Sequence, residues 1–311
     1  MAKKEPRISW SERLGTWFMV VRNVVGALFS VLIFLFFFSF LFSLLGGVEP
    51  SIPSGNIVVI PISGAITTSG SAFSGEVDSE KMVSLLKKAN ASSSVKAIIL
   101  EINSPGGSPV ATDEIAAFVK KINKPVVSVI REVGASGAFW IATAADRVFA
   151  NRMSVTGSIG VTSSHLEFGG LLSDYNITYR RLVSGKYKDT GSPFREMTAD
   201  EIKLYQALLG KINDEFVSAL ASNRDLSLEF VKKHNDGFVF LGSDAKEFGF
   251  VDELGGRDDA VEYLAKNYGI VPEVGVVKFG SGLFGSFSAS FSDAAFALGR
   301  GLGQSLSGLK V

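Results

Sequence analysis

Three short apolar runs, each ending in a turn of small residues or a charge, constrain this chain more than any other feature. They are Ile57 to Ile62, Val95 to Ile102 and Pro125 to Ile130. Each is rich in β-branched residues and too short for a buried helix, so each reads as a buried strand. Helical patterns lie between and after them. Ser79 to Ala89 carries Met82, Val83, Leu85 and Leu86 on one side, and Ala111 to Ile122 and Phe139 to Ala145 follow. Strands that are apolar throughout, alternating with helices, predict an α/β layer with largely parallel pairing, because parallel strands are covered on both faces. Ligands of such a sheet bind beyond the C-terminal ends of its strands. Two glycine-rich turns fall on that edge, Asn103 to Ser108 and Gly134 to Ala138.

The second turn carries a serine. Ser136 stands between the Pro125–Ile130 strand and the helix that begins near Phe139, flanked by Gly134, Ala135, Gly137 and Ala138. Residues this small let another backbone approach. A hydroxyl at a strand-to-helix junction lies near the helix's free N–H groups, where negative charge can be stabilised, so Ser136 is a candidate nucleophile. The competing reading is a helix cap with glycines that only permit the turn.

A long apolar run near the start sets a second constraint. Val24 to Leu45 holds no charged residue and has a phenylalanine-rich centre. As a helix it reaches roughly 33 Å, enough to span a hydrocarbon core. It exceeds the usual length of a signal-peptide apolar region and no Ala-x-Ala pattern follows, so an anchor is expected. Lys3, Lys4, Arg7, Arg13 and Arg22 precede it, whereas 46–55 carries only Glu49, which predicts a cytoplasmic N-terminus and an exported remainder. The expected organisation is a cytoplasmic segment (1–23), a transmembrane helix (24–45), a linker (46–55), a catalytic domain (56–279) and a Gly/Ser/Phe-rich tail (280–311). In the tail, apolar residues recur at helical steps weakened by glycine, which leaves open a disordered tail, a membrane-surface helix or a segment docked on its own protein.

Composition narrows the chemistry. With 31 basic and 31 acidic residues, nothing commits the chain to nucleic acid. The absence of cysteine excludes thiolate metal sites and a cysteine nucleophile. A base for Ser136 is then a histidine or a lysine. His234 follows Lys232 and Lys233 and reads as a solvated helix end, and His165 has only Glu167 nearby. A lysine serves if burial leaves its amine neutral. Lys186 and Lys188 stand out because their Gly/Ser-rich loop follows Ile177 to Val183, which alternates like a strand. Downstream, Thr156 to Val161 reads as a turn into a strand, and Thr198 to Ser222 as a long helix with Asp200 and Glu201 in its first turn. Leu226 to Lys233 and Asp258 to Tyr268 read as shorter helices. Strands are expected at Phe238 to Leu241, Val251-Asp252 and Val274 to Phe279, with a helix at Ser243 to Phe248.

Between Ile57 and Tyr268 the chain resembles the signal peptide peptidase A family of membrane-anchored serine peptidases. The resemblance is carried by Asn-Ser-Pro-Gly-Gly at 103–107, Ala-Ser-Gly at 135–137, Ala-Ala-Asp-Arg-Val-Phe-Ala at 144–150 and Thr-Gly-Ser-Ile-Gly-Val at 156–161. Ser-Gly-Lys-Tyr-Lys-Asp at 184–189, Ser-Pro-Phe-Arg-Glu-Met-Thr at 192–198 and Val-Asp-Glu-Leu-Gly at 251–255 complete an ordered series. It implies a Clp protease/crotonase-like fold of layered parallel sheets with helices, and a Ser-Lys dyad. On the resemblance Ser136 is the nucleophile, Lys188 the general base with Lys186 as the alternative, and Gly106, Gly107 and Gly137 the oxyanion donors. No metal or cofactor is implied. The implied substrates are hydrophobic peptides such as cleaved signal peptides. The implied assembly is a ring-like homo-oligomer whose dyad residues come from neighbouring subunits. Two other readings stand beside it: a membrane-bound Ser-Lys protease specific for one membrane-protein partner, and a peptide-binding scaffold that does not cleave. A crotonase-like acyl-CoA enzyme shares the fold, but export beyond the anchor separates it from cytosolic CoA substrates.

Overall fold

The computed structural model describes residues 10–45, 51–69 and 76–278. The tail (280–311) and the first half of the expected linker lie outside the described residues. The chain forms two units, Met1–Glu49 with Phe279–Val311, and Pro50–Lys278. Of the first, the described part is helix α1 (Trp10–Leu45), within which Trp17–Phe38 is long and apolar enough to cross a membrane. Its side chains from Trp17 to Phe38 are all exposed, as a lipid-facing helix requires.

The second unit opens with β1 (Ile57–Ser63), the two short strands β2 (Ile66–Thr67) and β3 (Val77–Asp78), and helix α2 (Ser79–Ala91). Asp78 caps α2 by accepting from the Lys81 N–H, and Met82, Leu85, Leu86 and Ala89 form its buried face. Then come β4 (Ala97–Ser104), α3 (Pro109–Val119), β5 (Val126–Ala135) and α4 (Gly137–Thr143). Strands β1, β4 and β5 run parallel and side by side, with Val58 opposite Ile98 and Ile98 opposite Val126. Their residues point alternately into two buried clusters, one beneath α2–α4 and one beneath the C-terminal helix, which explains their unbroken apolar sequences.

The remaining elements are β6 (Arg147–Ala150), β7 (Val155–Gly157), α5 (Gly169–Asp174), α6 (Ala199–Arg224), α7 (Leu228–Lys233), β8 (Val239–Leu241), α8 (Gly242–Glu247), β9 (Glu253–Leu254), α9 (Arg257–Tyr268) and β10 (Val274–Val276). The main sheet has the order β10-β1-β4-β5-β6-β9, parallel throughout, while β7 pairs parallel with the C-terminal end of β5 and antiparallel with β8. The predicted α/β layer with parallel strands is therefore observed. A T-shaped pair of Phe139 and Phe250, 5.6 Å between centroids, ties α4 to the strand-and-helix segment that follows α7.

Several expected elements are corrected. Ile177 to Val183 is no strand: Ile177, Tyr179, Leu182 and Val183 are exposed and no sheet edge pairs with them. At 156–161 the strand precedes the turn, as β7, and residues 158–168 have no regular structure. The strand expected at Val251-Asp252 forms two residues later, as β9. Helix α4 begins at Gly137, directly after the serine, and ends at Thr143.

Candidate active site

Ser136 occupies the junction of β5 and α4 with φ 52° and ψ −126°, a backbone region that favours glycine. The conformation is held from both sides. Ser136 N–H donates to Gly157 O at the end of β7 (2.8 Å), and Trp140 N–H donates to Ser136 O (3.1 Å). The side chain makes no capping hydrogen bond, so the helix-cap reading of this serine does not hold. A strained strand-to-helix turn that presents an unengaged hydroxyl is the form in which serine nucleophiles are displayed.

The neighbouring glycine turn packs against it. Gly106 has φ +98°, and a methyl group there would stand 2.8 Å from both Ala135 O and Gly137 N. A methyl on Gly107 would stand closer still to Ile66 O, because Ile66 and Gly107 form an isolated parallel bridge. The two glycines are thus required by close backbone approach on both flanks. Their N–H groups differ. Gly106 N–H donates to Ser104 Oγ (3.1 Å), whose own hydroxyl donates to Gly64 O (2.6 Å), so it is unavailable to a ligand. Gly107 N–H has no acceptor among the described residues, and Gly137, as the first residue of α4, has no preceding helical carbonyl to bond.

A cavity of about 620 Å³ opens beside Ser136, Gly107 and Gly137. Its walls include Trp140, Val161, Leu209, Ile212 and Phe216, with Trp140 and Phe216 stacked at 5.2 Å. Thr112, Asn213 and Asn235 also line it, and each has a buried side-chain oxygen with no hydrogen-bond partner among the described residues. Unpaired buried acceptors beside an apolar pocket are chemistry that a bound polar chain would satisfy. Sequence reading missed these residues, because they come from α3, α6 and the loop after α7 and share no local pattern.

Neither histidine lines this cavity. His234 is no solvated helix end: its ring lies 4.3 Å from that of Phe248 and contacts Phe230, Phe240 and Phe250, with Nδ1 3.0 Å from Phe230 O. His165 is exposed and meets Ser163 and Tyr205.

Lys186 and Lys188 both lie in the exposed loop before α6, and neither is among the residues lining the Ser136 cavity. Their surroundings separate them. Lys186 Nζ lies 4.8 Å from the centre of the Tyr187 ring and 3.4 Å from Asp200 Oδ2. Tyr187 first, and then Asp200, raise its pKa above the ordinary lysine value, the reverse of what a base near neutral pH needs. The Lys188 amine has no partner among the described residues, while its N–H donates to Gly185 O (3.1 Å) in a tight turn.

The sequence model for peptidase family S49 matches residues 119–270, which include Ser136 and both lysines. Among similar proteins is a "putative protease" of Methanocaldococcus jannaschii, 35% identical over 240 residues that make up 75% of this chain and 75% of that protein. The "putative signal peptide peptidase SppA" of Enterococcus faecium is 34% identical, covering 70% of this chain and 65% of its own length. Protease 4 of Haemophilus influenzae is 33% identical over 63% of this chain, which spans only 33% of that longer protein.

Proposed function

The chain belongs to the signal peptide peptidase A family of serine peptidases, peptidase family S49 with its Clp protease-like fold, and from that premise we propose how its residues act. Ser136 Oγ is the nucleophile, Lys188 of a neighbouring copy is the general base, and the N–H groups of Gly107 and Gly137 hold the oxyanion. The observation that carries this reading is the strained, uncapped Ser136 at the mouth of the cavity, with two free N–H groups beside it. Attack by Oγ on a peptide carbonyl transfers the hydroxyl proton to the neutral lysine amine. The two N–H groups take the negative charge that develops on the carbonyl oxygen. The protonated lysine then gives its proton to the departing amine, and water repeats the sequence on the acyl-enzyme.

Two further observations support a base from a second copy. Lys188 does not line the cavity of its own chain. The segment that carries it exposes Leu166, Leu171, Tyr175, Ile177, Leu182 and Phe194, an apolar surface that a second copy would cover. The apolar cavity walls fit hydrophobic peptides, remnants of signal peptides among them. Helix α1 then anchors the enzyme with its N-terminus in the cytoplasm and the peptidase unit outside. Ser136→Ala and Lys188→Ala should each reduce cleavage of a hydrophobic peptide to background with fold and assembly intact, and Lys186→Ala should leave turnover near that of the parent. Retained turnover in Lys188→Ala together with loss in Lys186→Ala would reverse the assignment of the base.

A further inference from the structure

Residues 175–198 connect α5 to α6 with no strand or helix of their own, yet they carry the lysine assigned above as the base. A connection this long needs some other source of order. It is supplied by four charges. Arg195 donates to both oxygens of Asp189 (3.1 and 3.2 Å) and to both oxygens of Glu201 (2.6 and 2.8 Å). From the other side Arg181 donates to both Asp189 oxygens (2.7 Å each) and to Lys186 O (2.7 Å). Glu201, 3% exposed, also closes the capping box of α6 with Thr198 and accepts from Thr190 Oγ1. The turn from Lys186 to Asp189 is therefore held at both ends by Arg181, and Arg195 links its Asp189 end to Glu201 in the first turn of a 26-residue helix.

We propose that Arg195 is a positioning residue for the lysine base: by gripping Asp189 and Glu201 together it fixes the backbone that carries Lys188 and cancels the carboxylate charge next to it. This inference rests on the Ser136–Lys188 reading. Two guanidinium groups face two carboxylates, so the cluster is neutral as a whole. That neutrality matters because Asp189 is the sequence neighbour of Lys188. An uncompensated carboxylate there would favour the ammonium form, which cannot take the serine proton. Around the loop the other titratable groups are Tyr175, Tyr179, Arg180, Lys186, Tyr187 and Glu196 on the loop itself. Asp200 and Tyr205 approach from α6, and His165 and Glu167 from the segment before α5. Of the carboxylates among these, Asp200 is already paired, with Lys186. A lysine at position 195 keeps the charge but cannot fork onto two carboxylates.

The test is the pH dependence of kcat in the full chain, reconstituted with its helix, for R195M, R195K, D189N and K188A. R195M should lose about tenfold or more in kcat, with a smaller change in KM, and its rising limb should move about one pH unit to the alkaline side. D189N should move the limb the opposite way. R195K should restore the limb more fully than the rate. A role confined to bracing the fold would lower kcat in proportion to the folded fraction, measured by circular dichroism, and leave the limb in place. That outcome, in R195M and R195K alike, overturns the inference even if D189N fails to fold. Near-normal turnover in K188A would overturn the base assignment and this inference with it.

Discussion

At the residue scale the site rests on backbone conformations that glycine would adopt more easily. Ser136 holds φ 52° because Gly157 O, Trp140 N–H and the close approach of Gly106 fix the turn around it. A non-glycine residue in such a region costs about 1–3 kcal/mol. Ser136→Gly should therefore be more stable than Ser136→Ala, by roughly 2–4 °C in Tm per kcal/mol relieved, although both are inactive. Equal melting temperatures would mean that the turn stores no strain. Gly106→Ala puts a methyl 2.8 Å from two backbone atoms at a positive φ, so labelling of Ser136 by a serine-directed probe should fall about a hundredfold. The pH dependence has a fixed sign. A lysine base is active only when deprotonated, so the rate should rise toward alkaline pH, and a rate that falls steadily above neutrality contradicts a lysine. Ser136 and the paired glycines could be read from sequence because a strand, a tight turn and a helix are adjacent there. The different surroundings of Lys186 and Lys188 could not, because Asp200, whose carboxylate meets the Lys186 amine, lies on the following helix.

At the element scale the sequence succeeded where burial alone decides and failed where pairing decides. Strands β1, β4 and β5 are apolar because both faces are covered, so composition alone located them. Helix α6 carried its own start signal, Thr198 with Glu201 three residues later. Ile177 to Val183 has the alternation of a strand but pairs with no strand among the described residues, and its Arg181 instead joins the Arg181–Asp189–Arg195–Glu201 cluster. That cluster has a pH signature. Arg181 first and then Arg195 hold Asp189 well below the usual carboxylate range, and Arg195 chiefly does the same for Glu201. A depressed folded pKa stabilises above the unfolded value of about 4 and loses that contribution as pH falls below it. Pepsin should therefore cut within 175–198 faster at pH 3 than at pH 5, relative to an unfolded reference peptide. R195M should be cut readily at both; equal protection of the parent chain at both values would contradict the cluster's role.

At the scale of the whole molecule, α1 and the peptidase unit are joined by a short connection, and the lysines that precede and the near-absence of charge that follows the apolar run set the expected orientation. Protease added to cells stripped of any outer barrier should digest the unit after Gly46 and spare a tag placed before Lys3. The opposite pattern would place the peptidase in the cytoplasm. The larger question is why one chain separates its serine cavity from its candidate base while exposing apolar side chains around that base. On the proposed reading, completion of each site by a neighbouring copy would answer both. Ser136→Ala and Lys188→Ala chains, co-produced with different tags and purified through both, measure this most directly. Each variant alone should be inactive, and the mixed assembly should regain a substantial fraction of parental turnover, from interfaces where an intact serine meets an intact lysine. A mixed assembly of normal size that stays as inactive as either variant would show that the two residues do not act across copies.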